Sequence, residues 1–331
     1  MMNFDVMRRL VAEAETGAMD MPTAQSALAH WGNDAGTLRH LRYSATAIYT
    51  FQQAGARRIL RLSHPGDRAR DQIQAELDFI TYLASVGIPA MPALPGRSGE
   101  MVVTVDSWTR FYAAVFEYAP GDTYLELENL SMELVTAWGR TMAQLHLASQ
   151  TYKPAAPVRR PQWQETLATL ASWLPADERA AHNYLAQASA WLSSLPSGPE
   201  DYGLIHWDLC IDNLSWDSTQ YHIFDFDDAA YFWYAADLAF ALDDLQSLPP
   251  EPRQRILAAF LDGYRSLRPS IDDWLECLPR FYKFMYLFKY ARDLRAMNFA
   301  NPTLDPPWMS QLRLKLTRAN DEWRKGFEQA F

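Results

Sequence analysis

Between Leu204 and Asp228 the sequence reads LIHWDLCIDNLSWDSTQYHIFDFDD, which sets two His, six Asp and one Asn among apolar residues. Gathering so many carboxylates beside Leu204, Ile205, Leu214, Ile223 and Phe224 is costly unless a cation sits among them. LSW and YHIF flank DSTQ, a polar connection of the kind that closes a hairpin. If the two runs pair, Asn213 and Asp225 face each other at the open end, roughly 5 Å apart between backbones. An amide carbonyl and a carboxylate there suit a hard cation, magnesium rather than zinc. Asp208 lies on the loop entering the hairpin, where a base must stand when a metal holds the other reactant.

These side chains need a scaffold. At 331 residues the chain can build two lobes and more than one core without a disulfide or structural metal. Lys plus Arg number 30 against 40 Asp plus Glu, a formal charge of −10, which argues against a general nucleic-acid or anionic-membrane binder. Two cysteines, Cys210 and Cys277, and a start whose apolar run is broken by charges point to a reducing, cytoplasmic setting. Runs such as YAADLAFAL are too short and too charged to span a bilayer.

Residues 5–32 read as one or two helices. From Gly36 the runs TLRHLRY, AIYTFQQ and RRILRLS predict three antiparallel strands, the last two joined by the turn AGA. DQIQAELDFITYLASVG spaces Ile73, Leu77, Ile80 and Leu83 for a helix face and ends at Gly87. MVVTVDSW and FYAAVFEYAPG add two strands. Beyond Gly121 the pattern turns helical: a helix capped by Ser131, then segments near 178–195, 251–267, 271–298 and 307–330. The expected division is residues 1–115 as N-terminal helices and sheet, 116–122 as a hinge and 123–331 as a mainly helical lobe.

The motifs carry a resemblance. HWDLCIDN resembles the H-x-D-x-x-x-x-N catalytic loop, and FDFDD the metal-binding Asp segment, of the aminoglycoside phosphotransferase and choline kinase group, the small-molecule branch of the protein-kinase-like fold. RRILRLSH is similar to the strand carrying the phosphate-contacting Lys, IQAELDFITYL to the helix whose Glu pairs with it, and VFEYAPG to the hinge. Within the group the chain is similar to homoserine-kinase-type-II-like phosphotransferases. The resemblance implies a two-lobed α+β fold with ATP against Phe116, Glu117, Tyr118 and Ala119. It implies that Asn213 and Asp225 hold Mg2+ and that Asp208 orients or deprotonates an acceptor hydroxyl. Asp227 is a weaker metal candidate, and Asp237 would support the catalytic loop. His206 reads as structural beneath that loop, and His222 as a satisfied sheet residue.

The sequence also departs from the group. Arg61 stands where Lys is expected, a rigid fork in place of a point charge, with Glu76 as its expected partner. YSATAIY replaces a glycine-rich loop, so Ser44 and nearby amides would have to cover the phosphates. Trp207 and Cys210 replace the Gly and His common in the loop, and either could reshape the acceptor pocket. The function expected is ATP- and magnesium-dependent phosphotransfer to a small-molecule hydroxyl, with amino alcohols, homoserine-like compounds, sugars or aminoglycosides as acceptors and no nucleic-acid or membrane partner. The alternatives are a catalytically silent kinase-like binder, a metal-dependent hydrolase using His206, Asp208, Asp225 and Asp227, and a protein Ser/Thr kinase of the same fold.

Overall fold

The computed structural model describes residues 1–15, 21–123, 126–155, 159–298 and 301–331. The helices α1 (Phe4–Glu15) and α2 (Pro22–Leu28) come first; residues 16–20 of the expected helical stretch lie outside the described ones. The strands β1 (Arg39–Tyr43), β2 (Ala47–Gln53) and β3 (Ala56–Ser63) form the expected antiparallel meander. Between β2 and β3, Ala54 and Gly55 both take positive φ (51° and 78°), the backbone that a two-residue turn between twisted strands requires. Next come α3 (Arg70–Ser85), β4 (Ala93–Leu94), β5 (Val103–Asp106) and β6 (Arg110–Glu117). The sheet order is β1-β2-β3-β6-β4, with β5 on another part of β6.

Past residue 121 the chain is mainly helical. Its elements are α4 (Met132–Thr151), α5 (Trp163–Trp173), α6 (Arg179–Ser194), β7 (Tyr202–Ile205), β8 (Leu214–Trp216), β9 (Tyr221–Ile223), β10 (Ala230–Trp233), α7 (Tyr234–Ala241), α8 (Pro250–Arg265), α9 (Leu278–Asn298) and α10 (Pro307–Gly326). Ser131 caps α4 as expected, its Oγ accepting from Leu134 N–H. The helix expected over 271–298 instead begins as a 3₁₀ segment, Pro269–Cys277, and α9 starts at Leu278. Pro279 explains the break: it has no N–H to donate and its ring would collide with a carbonyl four residues back, so it is tolerated only in the first turn.

Two small ladders hold the polar stretch. β7 pairs with β10 and β8 with β9, both antiparallel. The β8–β9 hairpin is gripped from both sides by the chain that joins it to the six-stranded sheet. On one side Asp122 and Trp216 exchange backbone hydrogen bonds of 2.9 and 3.0 Å; on the other Ile223 N–H donates to Pro89 O and Met91 N–H to Ile223 O, both at 2.9 Å. Gly121 makes the first grip possible, since a Cβ there would lie 2.1 Å from Trp216 O and the residue has φ +84°.

One apolar cluster runs through the helical region and takes in Ile73, Leu77, Phe79, Ile80 and Leu83 of α3. A second joins α1, α2 and the other face of the sheet, and Met309 of α10 belongs to it. Among the described residues no helix is long and apolar enough to cross a membrane.

α4 and α8 cross at two glycines. A Cβ on Gly139 would lie 1.9 Å from Phe260 O, and one on Gly263 would lie 1.9 Å from Thr136 O. Gly263→Ala would gain up to about 1 kcal/mol of helix propensity, but overpacking against a backbone carbonyl that no rotamer change relieves costs about 1–3 kcal/mol. The expected outcome is a lower denaturant midpoint with unchanged slope. A raised midpoint would mean that the two helices separate freely.

Candidate functional site

The catalytic-loop candidates leave β7 through a strained turn. Trp207 has φ +78°, a conformation that costs a bulky residue on the order of 1–3 kcal/mol. Three observations account for it. The Trp207 ring is buried against Phe232, Phe240 and Phe288, with centroids 5.0–5.1 Å away. The backbone N–H of Trp207 donates to Asp237 Oδ1 at 2.8 Å, and that of His206 to Asp237 Oδ2 at 3.0 Å. Trp207 therefore belongs to the core.

His206 is fully buried and joins the two functional segments. Asp208 N–H donates to its Nδ1 (3.3 Å), so Nε2 carries the proton and donates to Phe224 O (3.1 Å). The Asp208 side chain is left exposed. Asn213 Nδ2 donates to Asp208 O at 2.7 Å and to Asp208 Oδ2 at 3.2 Å. With its amino group so engaged, Asn213 presents Oδ1 as the acceptor on the cleft it lines.

The expected pairing of Asn213 with Asp225 is off by one residue. Leu214 lies opposite Ile223, and the next ladder bond runs from Phe224 N–H to Asn213 O at 3.2 Å, so Phe224 is the residue across from Asn213. Asp225 follows with φ +67°, a left-handed conformation that Asp tolerates better than most residues and that turns the chain out of the ladder. Asp225 and Asn213 line the same cleft. His222 Nε2–H donates to Asp217 Oδ2 (2.7 Å) inside the hairpin turn, as a satisfied sheet residue would.

Arg61 and Glu76 meet in a buried bidentate pair, Nη1 to Oε1 at 2.7 Å and Nη2 to Oε2 at 2.6 Å. Arg61 Nη1 also stands 3.9 Å from Asp225 Oδ1. Asp225 is only partly exposed, at the floor of a cleft whose walls keep most bulk water from it. Burial first and the Asp227 carboxylate second push its pKa well above the ordinary carboxylate range, against the pull of Arg61. A divalent cation would relieve that crowding. The donor set fits a hard ion: one carboxylate and one amide oxygen, with phosphate oxygens and water to complete the shell. Among the described residues no group of three or more His, Cys, Asp or Glu could hold a metal, which counts against the hydrolase reading.

Phe116, Glu117, Tyr118 and Ala119 line the same cleft, of about 290 Å³, together with Arg61. Glu76 lies buried behind Arg61, and Asp208 stands beside Asn213 outside the lining. Ser44 is also outside it: its N–H donates to Thr46 O and its carbonyl accepts from Met2 N–H, because the turn closes on itself. A wider apolar groove of about 720 Å³, between Met7, Val11, Tyr43, Trp308 and Leu312, contains none of the carboxylates of the Leu204–Asp228 stretch.

Arg160 and Arg68 are the residues beside the cleft that the sequence reading missed. Arg160 is buried and donates to Gln72 O, Asp227 O and Ala229 O at 2.9, 2.5 and 2.6 Å, clamping the segment after Asp225 to α3. Burial pulls its pKa down to about 10. Arg68 pairs with Asp228 and stands 3.6 Å from Asp227 Oδ2, and Arg292 Nη1 lies 3.3 Å from Asp228 Oδ2. No local pattern marks these arginines, since their partners are distant in sequence.

Comparison with known proteins adds the following. Residues 42–270 match the phosphotransferase enzyme family. An amicoumacin kinase of Bacillus subtilis (strain 168) is 27% identical over 279 residues, 80% of this chain and 82% of that protein. A solved amicoumacin kinase in complex with AMP-PNP, Ca2+ and Ami has a TM-score of 0.77 at 24% identity, covering 92% of each chain, a likeness of fold. A microcompartment-associated aminopropanol kinase has a TM-score of 0.66 at 26% identity, over 93% of this chain and 95% of that one. The α+β kinase-like fold expected from the sequence is borne out.

Asp228 supplies a pH test. Burial works to raise its pKa, but Arg68 and then Arg292 hold it at about 2. An acid whose folded pKa lies below its unfolded value of ~3.9 contributes stability that is present above that value. This contribution is lost as pH falls through about 2. Asp228→Asn is expected to lower the thermal midpoint at neutral pH, with the gap to the parent closing between roughly pH 4 and pH 2. A gap of the same size at every pH would exclude the ionic origin.

Proposed function

The chain belongs to the phosphotransferase enzyme family and is a small-molecule kinase using ATP and a divalent cation, and on that premise we propose how its cleft moves the γ-phosphoryl of ATP to an acceptor hydroxyl. The observation that carries the reading is the line of groups from Glu76 through Arg61 to Asp225, with Asn213 on the same cleft.

In this reading the connection over residues 116–122 is the hinge between lobes 1–115 and 123–331, and Phe116 to Ala119 line the adenine end. Asn213 Oδ1 and the Asp225 carboxylate hold magnesium, which neutralises phosphate charge when bound. Arg61, fixed by Glu76, presents a pre-oriented guanidinium toward the phosphates. Asp208 accepts from Asn213 with one oxygen, and its exposed carboxylate orients or deprotonates the acceptor hydroxyl. Phosphoryl transfer asks little more of a protein than positioning and charge neutralisation.

The acceptor side is acidic. Burial and then Asp243 push Asp244 up, with Asp212 and Asp208 contributing, and Lys289 is held by Asp243 at 2.6 Å. That charge supports an acceptor bearing an amine beside its hydroxyl. A screen of amino alcohols, homoserine, aminoglycosides and sugars for ADP release would rank these classes. Absence of turnover with every one of them would favour the silent binder.

Two variants separate the roles. Asp208→Asn should keep magnesium-ATP binding while turnover falls by roughly 10²- to 10⁴-fold, the usual loss of a general base. Asp225→Ala should abolish turnover and also remove the metal-dependent part of ATP affinity, leaving phosphate charge uncompensated. Calorimetric titration of both with ATP, with and without magnesium, checks this. The opposite pattern reverses the roles, and two variants indistinguishable from the parent would move the active site elsewhere.

A further inference from the structure

We infer that Arg42, carried to the cleft by a β-bulge at Leu41, is a phosphate-binding residue of this chain; the inference rests on the nucleotide reading of the cleft. β1 pairs regularly with β2 at His40 and Tyr49, then slips, so that Arg42 lies opposite Ile48. Leu41 is the extra residue. In a ladder without the bulge, Leu41 would face Ile48 and Arg42 would sit on the opposite face of the sheet, since a one-residue shift exchanges faces. Ile48 in turn lies opposite Arg61. Residues directly across a ladder project to the same side, so Arg42, Ile48 and Arg61 form one row, and all three line the cleft. Arg61 stands where the two sides of the cleft meet: its Nη1 is 3.9 Å from Asp225 Oδ1 and its guanidinium carbon 4.9 Å from the Phe116 ring centroid.

Charge decides what Arg42 does there. The cleft is lined by two guanidiniums, Arg42 and Arg61, against the carboxylates of Glu117, Asp212 and Asp225. Arg61 already commits one N–H of each terminal nitrogen to Glu76, which leaves it fewer donors for a phosphate chain than a free guanidinium has. Among the described residues no hydrogen bond, ion pair or ring contact engages the Arg42 side chain, so its donors remain available. A polyanionic phosphate chain entering beside Asp225 needs a cation with free donors, and a guanidinium binds phosphate through two of them. Leu41, also on the cleft, offers only an apolar surface. The bulge thus supplies from β1 what neither a glycine-rich loop nor a free lysine on β3 provides here.

The test titrates the parent, Arg42→Ala and Arg42→Lys with magnesium-ATP and with adenosine over a range of salt concentrations. Arg42→Ala should bind magnesium-ATP at least about tenfold more weakly, with adenosine affinity unchanged and a shallower dependence of ATP affinity on salt. Arg42→Lys should recover part of the ATP affinity and the parent's salt slope. ATP affinity within twofold of the parent in Arg42→Ala would overturn the assignment, as would equal losses for ATP and adenosine. A parent that binds no ATP with magnesium would overturn the nucleotide reading itself, and Arg42's role with it.

Discussion

The Asp237 carboxylate, fully buried in the first turn of α7, accepts hydrogen bonds from the backbone N–H groups of His206 and Trp207 and from His146 Nε2 at 2.9 Å. Burial keeps His146 neutral by pulling its pKa down, so its Nδ1 is free to accept from the Tyr264 hydroxyl at 2.8 Å. A carboxylate in that position cannot be left with fewer donors: breaking a buried charged network costs about 3–5 kcal/mol. The loop backbone is therefore held in the one shape that satisfies it. Trp207 is held at positive φ as a consequence, and the chain emerges with Asp208 facing outward.

The same principle governs the other side of the cleft with opposite sign. Asp225, Asp227, Asp228 and Glu76 crowd one region and are met by three arginines from different elements: Arg61 of β3 faces Glu76 and Asp225, Arg68 of the connection into α3 faces Asp227 and Asp228, and Arg292 of α9 faces Asp228. Arg160 adds three bonds to carbonyls without a carboxylate of its own. These contacts join α3 and the sheet to the helical region at the place where Asp225 sits. The packing of α3 and the sheet against the helical region therefore sets the electrostatic surroundings of Asp225.

Much of the fold was legible because most elements have one wet face. The meander β1–β3, the helix α3 with its stop at Gly87, and the capped helix α4 all show their period and their ends. α7 does not, since all eight of its residues are buried and no polar face marks its turns. α9 was legible as a helix but not in its start, which Pro279 sets. The hairpin was legible and its register was not: a one-residue offset depends on where the last ladder bond closes, which the hydrophobic pattern does not specify in strands of three residues.

The sequence by itself nominated the chemistry. The motifs HWDLCIDN and FDFDD, through their spacing and the resemblance they carry, singled out Asp208, Asn213 and Asp225 as candidate catalytic and metal-binding residues. The pairing of Arg61 with Glu76 is not specified by their spacing, since each is an ordinary surface residue until a strand and a helix pack together. The placement of Ser44, the inward turn of Trp207, the clamps of Arg160 and Arg68 and the face on which Arg42 emerges were decided by tertiary structure alone. The physical reason is common to them: each depends on a partner far away in the chain or on a single-residue slip in a ladder, and neither leaves a local trace in composition or period.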